Sequence, residues 1–546
     1  MTADMKTDIR AFAEFFVSTV EPIEIDEILE HRFSTEPVQI VGPVVYPVEL
    51  RQRRWWPIAV AVAAVVVLLG GVALLFRVTE PDTPVVGTVV PPTLTEPPPT
   101  NVVPTTLPGT TPTTVAESNL TSPRGCLAAS TWSRVCDDAA GFEGAVMWSV
   151  TAGGPVLVAV GGDFDIWTPE DIQRPLEAGG DGDAVVWTSP DGVSWSRVPH
   201  DEAVFGGDGA QQIFSVTAGG PGLVAVGIDG TLDTEEGNAA VWTSADGFTW
   251  SRVPHDEAVF GGAGEQRMLS VTSGGPGLVA VGFDWPADTD LVDAAVWTSP
   301  DGITWSRVPH DEAVFGGEQE QKMLSVTAGG PGLVAVGSDG HSGEPDNRPF
   351  DEPAADAAVW TSPDGFTWSR VPHDEAVFGG AGEQRMLSVT SGGPGLVAVG
   401  TVSAGTNEFE PNLDAAVWTS PDGITWSRVP HDRTVFAASD CRGLCDGERW
   451  VDGYEVMRSV TVGGPGLVAV GLSGFGQTGW DAAVWTSPDG ITWSRVLNNQ
   501  AVFEARGYDQ MSSVTVAGSG LVAVGRTVGG GYEDLAATVW NARVEE

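Results

Sequence analysis

The chain has 546 residues, enough for several ordinary domains or one large repeat domain. It carries 27 Lys and Arg against 73 Asp and Glu, a net charge of −46, and Lys6 and Lys322 are its only lysines. That balance excludes a nucleic-acid binder, which needs bases to neutralise phosphates, and docking on anionic lipid through a broad basic surface. With 42% hydrophobic and 18% charged residues, the bulk of the chain is not disordered by composition.

Residues 1–56 read as a cytoplasmic segment, acidic over 1–50. Ala11, Phe12, Phe15, Phe16 and Val20 recur near helical spacing, which predicts a short amphipathic helix over 6–20 and a second around Ile23–Leu29. The segment is either a docking helix for a cytosolic partner or a tail that aids insertion. It has no Cys and one His, His31, so a zinc module is unsupported. Residues 57–76 (PIAVAVAAVVVLLGGVALLF) carry no charge. At about 1.5 Å per residue they match a bilayer core about 30 Å thick. A cleaved signal peptide would have a shorter apolar run, nearer the N-terminus. Arg51, Arg53 and Arg54 precede the span and only Arg77 follows closely, so the N-terminus is expected in the cytoplasm and the remainder outside the cell membrane. Residues 77–123 form a linker. From Val78 to Pro123 it has 11 Pro, 13 Thr and no Lys or Arg, the composition of an extended stalk.

Residues 124–546 are one motif repeated. Strand a is Ser-Val-Thr, with Ser149, Ser215, Ser270, Ser325, Ser388, Ser459 and Ser513. Strand b is Leu-Val-Ala-Val-Gly, ending at Gly161, Gly227, Gly282, Gly337, Gly400, Gly471 and Gly525. Strand c carries Trp187, Trp242, Trp297, Trp360, Trp418, Trp485 and Trp540. Strand d carries Trp132, Trp195, Trp250, Trp305, Trp368, Trp426 and Trp493. A repeat of about this length with four strands is a propeller blade. The region opens on a lone strand d and closes on a strand c. The expectation is therefore an all-β, seven-bladed β-propeller ectodomain latched by its two ends, which removes a free sheet edge. Cys126 and Cys136 bracket the latch strand, and Cys441 and Cys445 sit in an insertion at 433–456. Four cysteines allow three pairings, and 126–136 with 441–445 is the local, structural choice.

The turn between strands c and d reads Ser-Pro-Asp-Gly-x-Thr-Trp at 299–305, 362–368, 420–426 and 487–493, with variants at 189–195 and 244–250. It resembles the Asp-box, or BNR, repeat of sialidase-like propellers, one residue shorter between Asp and Gly. Together with the Pro/Thr stalk and the excess of Arg over Lys, the chain resembles membrane-anchored extracellular propellers of actinobacteria. The resemblance implies a folding role for Asp191, Asp246, Asp301, Asp364, Asp422 and Asp489. The sialidase chemistry does not carry over, because the arginine cluster and the Tyr–Glu pair are not recognisable, and no catalytic residue is assigned. The recurrent Arg of strand d reads as packing between blades.

Loops between b and c vary most and are acidic, as at 229–236. Asp229, Asp233, Glu235 and Glu236 are candidate oxygen ligands for Ca²⁺, although no loop has a full calcium-loop pattern. The d–a loops repeat Pro-His-Asp-Glu-Ala-Val-Phe at 199–205, 254–260, 309–315 and 372–378. Recurrence at one spacing reads as a staple in which Phe plugs the blade edge, rather than as a ring of metal sites. Residues 254–282 and 372–400 are identical, so the ring has kept its symmetry. The expected function is an interaction module for an extracellular glycan or protein. The alternatives are a carbohydrate-active hydrolase or lyase, which an acid pair and an arginine trio at the channel mouth would favour, and a signalling receptor acting through residues 1–50.

Overall fold

A computed structural model describes residues 132–543, apart from 136–140, 165–181, 232–235, 287–290, 341–354, 404–412, 438–452, 476–478, 498–499, 504–506, 530–534 and single positions at 155, 208, 381 and 465. Residues 1–56, expected in the cytoplasm, the apolar stretch 57–76, residues 77–123 and all four cysteines lie outside the described residues. Among the described residues no helix is long and apolar enough to cross a membrane.

Among the described residues the strands form five sheets, three of four strands and two of eight; each eight-stranded sheet is two antiparallel a-b-c-d units joined by one parallel pair, Gly237 with Glu265 and Leu413 with Tyr454. The first unit is Ala145–Gly153, Val156–Asp163, Ala184–Ser189 and Ser196–Arg197. The last is Tyr508–Ala517, Gly520–Val528 and Leu535–Arg543, and its fourth strand is Trp132–Arg134 from the other end of the domain. Trp132 pairs with Ala542, Ser133 with Asn541 and Arg134 with Trp540. The Ser133 hydroxyl donates to Asn541 Oδ1 at 2.5 Å, and Trp132 is buried against Phe503.

The units stand side by side through their innermost strands, the arrangement of a β-propeller. Seven equivalent hydrogen bonds join them. The amides of Val150, Val216, Val271, Val326, Val389, Val460 and Val514 donate to the hydroxyls of Ser513, Ser149, Ser215, Ser270, Ser325, Ser388 and Ser459. The chain of bonds returns to its starting unit.

The continuous apolar run of strand b follows from this packing. Leu157 and Ala159 pack against Val522 and Val524 of the preceding unit. Val158 and Val160 face Ile213 and Val216 of the next. A sheet covered on both faces cannot alternate apolar with polar residues. The strand-c tryptophans fill these layers, and all seven are fully buried. Six of their indole N–H groups donate to a carbonyl of the preceding d–a loop, as Trp297 does to Val259 O at 2.7 Å.

Those loops close on single helical turns at Glu202–Phe205, Glu257–Phe260 and Glu312–Phe315, each capped by the preceding Asp, whose carboxylate accepts the amide two residues on. Phe205, Phe260, Phe315, Phe378, Phe436 and Phe503 are all buried.

The strand-d arginines bridge within a unit rather than between units. Arg197 pairs with Asp163, Arg252 with Asp229, Arg307 with Asp284 and Arg370 with Asp339, each reaching strand b of its own sheet. The guanidinium lies over the strand-c Trp on the way, 5.6 Å from the ring centre for Arg307 over Trp297. These pairs, with Gln211, Gln266 and Gln321 donating to the same carboxylates, hold Asp inside a paired strand. Strand b therefore runs on past its glycine, and the b–c connections are shorter than composition suggests. In the second unit Thr231 already pairs with Glu236.

Candidate functional site

Each innermost strand carries a β-bulge one residue before its repeated Ser, between Met147 and Ser149 in the first unit and at the same place in the other six. The glycine ending the apolar run of strand b lies opposite. A Cβ on Gly161 would collide with the Val146 carbonyl, and each of the seven glycines meets the same obstruction. The repeated Gly thus makes room for the bulge, and the bulge re-aims one side chain of the innermost strand.

The seven bulge residues, one per unit, line a central cavity of about 130 Å³: Trp148, Phe214, Leu269, Leu324, Leu387, Arg458 and Ser512. Three consecutive units supply leucine. The others break the repeat with two aromatic rings, a guanidinium and a hydroxyl. Trp148 and Phe214 lie 6.4 Å apart, ring centre to ring centre, at a tilt of 56°.

Further bases gather at the same end of the inner strands. Arg267, Lys322 and Arg385 stand two residues before the bulge position and pair with Glu265, Glu320 and Glu383. Arg267 and Lys322 also flank the Phe283 ring, at 5.7 and 5.6 Å. Arg526, on strand b of the last unit, lies 5.8 Å from the Trp148 ring centre and donates to Gln510 Oε1 at 3.5 Å.

Arg458 differs from the three matched bases. Among the described residues no carboxylate is paired with it, whereas each of the three has a glutamate, and its buried Nε has no hydrogen-bond partner. Burial, and after it the charge of Arg385, pull its pKa down to about 10. Burial and the charge of Arg458 take Arg526 to about 9. Both remain cations at neutral pH, held near one another in a poorly solvated place. An anion in the cavity would relieve that repulsion, and in a low-dielectric wall its attraction is stronger than in water.

The six Asp-box carboxylates sit elsewhere, in the c–d turns at the end of the units shared with the a–b turns. Gly220 of one a–b turn approaches the Asp301 carbonyl of the next unit. Asp301 Oδ1 accepts the amides of Ile303 and Thr304 at 2.9 and 2.6 Å, and the Ser299 hydroxyl accepts Gly302 N at 2.8 Å. Asp191, Asp246, Asp364, Asp422 and Asp489 repeat the pattern. The backbone bonds hold all six carboxyls below their usual range. The following Gly has φ between +76° and +84°, which excludes most side chains.

Of the Ca²⁺ candidates, Asp229 lies within strand b. One of its oxygens accepts from Gln211 at 2.9 Å and the other pairs with Arg252, so its carboxylate is committed to the sheet. Asp233, Glu235, the side chain of Glu236 and Cys126, Cys136, Cys441 and Cys445 lie outside the described residues.

Arg458 is not distinguishable in the sequence by recurrence, because the arginines that recur lie on strand d. The signal was the opposite kind: a single column, one residue before the repeated Ser, in which Leu gives way to Arg458. The arginines do gather near the channel, but no carboxylate, histidine or tyrosine is among the seven residues lining the cavity.

No family model matches the chain, and no curated protein shows significant sequence similarity to it. Solved structures give distant likenesses. A protein of unknown function from Dyadobacter fermentans is 13% identical, with a TM-score of 0.38 over 76% of this chain and 98% of that one. An α-L-arabinanase of Penicillium chrysogenum, complexed with arabinobiose, is 17% identical, with a TM-score of 0.34 over 61% of this chain and 93% of that one. A GH32 β-fructofuranosidase of Bombyx mori is 9% identical, with a TM-score of 0.30 over 75% and 90%. Likenesses of this degree carry no argument about activity.

Proposed function

We propose that the chain is a single-pass, membrane-anchored extracellular protein whose seven-bladed propeller binds an anionic ligand at its central cavity. The ligand class that suits the site is a carboxylated or sulfated glycan, with the negative group on Arg458 and a sugar face on Trp148 or Phe214. The supporting observation is Arg458 itself. A half-buried guanidinium stands where three other units place leucine, and among the described residues it lacks the glutamate that accompanies Arg267, Lys322 and Arg385. Concave, mostly apolar pockets with a few convergent polar groups are the usual form of ligand sites. The proposed anchor is the apolar segment 57–76, with residues 77–123 as the stalk.

The test uses the full chain in detergent micelles, incubated with paired neutral and uronic-acid or sulfated oligosaccharides and read by calorimetry and mass spectrometry. Retention of anionic sugars, uncleaved and weakened at least about tenfold by Arg458→Leu, is the expected result. Equal retention of neutral sugars, or no effect of the substitution, would overturn the assignment of the site. Cleaved product would overturn the assignment as a binding module.

A further inference from the structure

The d–a loop staple carries more than a buried phenylalanine. In three units its His stands between two carboxylates brought together from separate elements. His200 Nε2 is 3.6 Å from Asp183 Oδ2 and 3.2 Å from Glu202 Oε2. His310 is 3.8 Å from Asp293 and 3.1 Å from Glu312. His373 is 3.6 Å from Asp356 and 3.3 Å from Glu375. The Asp comes from the start of strand c, a position the loop motif does not contain. The motif's own Asp caps the helical turn instead.

We propose that Asp183–His200–Glu202, Asp293–His310–Glu312 and Asp356–His373–Glu375 are three equivalent sites for a divalent first-row metal ion, best suited to zinc. One imidazole nitrogen and two carboxylates form a mixed set that zinc accepts. Metal–ligand bonds of about 2.0–2.2 Å in a tetrahedron set neighbouring donors about 3.4 Å apart; here each imidazole nitrogen lies 3.1–3.8 Å from its two carboxylates, and the three donors of a site lie within 4.8 Å of one another. The sites are partly exposed, which leaves the remaining coordination position to water or to a ligand from outside. The nearest arginines make their direct ion pairs elsewhere: Arg197, Arg307 and Arg370 with Asp163, Asp284 and Asp339.

The Glu pose is built into the loop. A Cβ on Gly206 would meet the Glu202 carboxylate at 2.6 Å, and Gly316 and Gly379 face Glu312 and Glu375 in the same way. Where Arg433 replaces the Glu, Ala437 replaces the glycine, and His431 keeps only Asp414, at 3.3 Å. The second unit fails differently: His255 keeps Glu257 at 3.0 Å, but Asn238 stands in place of the Asp. The repeat thus holds its own controls, three complete sites beside two broken ones.

The full chain in detergent is stripped with a chelator and titrated with Zn²⁺ at pH 7.5, with bound metal counted after buffer exchange. His200→Gln/His310→Gln/His373→Gln should lose three equivalents relative to the unaltered chain, and His310→Gln one. His255→Gln should lose none. Asn238→Asp should gain one, by completing the second unit. Near-UV circular dichroism of the buried tryptophans confirms that each variant is folded. Equal metal content in the triple variant and the unaltered chain would overturn the proposal and leave the histidines as charge bridges between carboxylates. A lost equivalent in His255→Gln, or none gained in Asn238→Asp, would overturn the requirement for all three ligands.

Discussion

The Ser513 hydroxyl accepts the Val150 amide at 3.3 Å, joining the last innermost strand to the first across 363 residues. The bond matches the 3.2–3.3 Å of its six counterparts, which span only 55 to 72 residues. Native geometry at this seam is ordinary, whereas its sequence separation is not. Contacts this distant carry the largest loop-closure entropy and form late.

The seam depends on Trp132, the only tryptophan of the latch strand. It is 4% exposed and packs with Val502, Phe503 and Trp540. Trp132→Ala should lower unfolding free energy by about 3–5 kcal/mol, the range for a buried aromatic truncated to alanine. Urea denaturation followed by tryptophan emission measures it. A loss below about 1 kcal/mol, as for a surface residue, would show that the first strand does not latch the domain.

A second expectation concerns the Asp-box turns. Asp301 accepts two backbone amides and the Ser299 and Thr304 hydroxyls, all from its own turn. Asp301→Ala should lower the urea midpoint and leave ligand binding unchanged. The six carboxyls are depressed by backbone bonds, so their contribution is present above the ordinary carboxyl pKa and lost as pH falls through the folded value. The domain should therefore lose stability in acid below about pH 4, and Asp301→Asn should soften that loss. Weakened binding in Asp301→Ala at unchanged fold would place these turns in the ligand site.

Much of this architecture is legible in the residues. Strand d at Trp132 and strand c at Trp540 are both unpaired in sequence order, and only pairing with each other satisfies both. The apolar runs at 157–160 and 278–281 fit only a sheet covered on both faces. The site is less legible. Arg458 is one arginine among many until the bulge places it in line with Leu269, Leu324 and Leu387. Asp183 and His200 lie 17 positions apart, on opposite sides of an Asp-box turn, and only the register of strands c and d brings them together. The arginines of strand d repeat in every unit, and repetition alone does not tell a bridge within a sheet from one between sheets.

Glu455 offers a pH test. In its unit the acid has moved from strand b to strand a, and Ser473 stands at the position held by Asp229 in the second unit. Ser473 Oγ donates to Glu455 Oε1 at 2.6 Å and Arg495 Nη1 does so at 2.5 Å. The side chain is fully buried, and burial pushes its pKa to about 7 despite Arg495. The folded state thus holds a proton that the unfolded chain releases near its ordinary value. The associated stability is complete below the unfolded pKa and is lost as pH rises through about 7. The loss is about 3 kcal/mol at most. Glu455→Gln should flatten the decline between pH 5 and 8, measured by urea midpoints. An unchanged slope would mean that Arg495 holds the carboxylate ionised throughout.

Arg458 makes stability and binding opposed quantities. Its guanidinium sits in a half-buried apolar ring with Nε unpaired and with other guanidinium groups as its electrostatic neighbours. Desolvating such a charge is costly, and replacing buried ionic groups by well-packed apolar ones is often stabilising by about 1–4 kcal/mol. Leucine is the residue that three other units place there, so it fits the bulge without new strain. Arg458→Leu should therefore raise the thermal midpoint, with a gain near the lower end of that range because the side chain is partly solvated. The same change removes the unpaired cation and should abolish preference for anionic ligands. A site kept for binding at the expense of the fold predicts both shifts together. Leucine that destabilises the domain would mean that Arg458 is paired structurally, and the cavity would lose its claim as a ligand site.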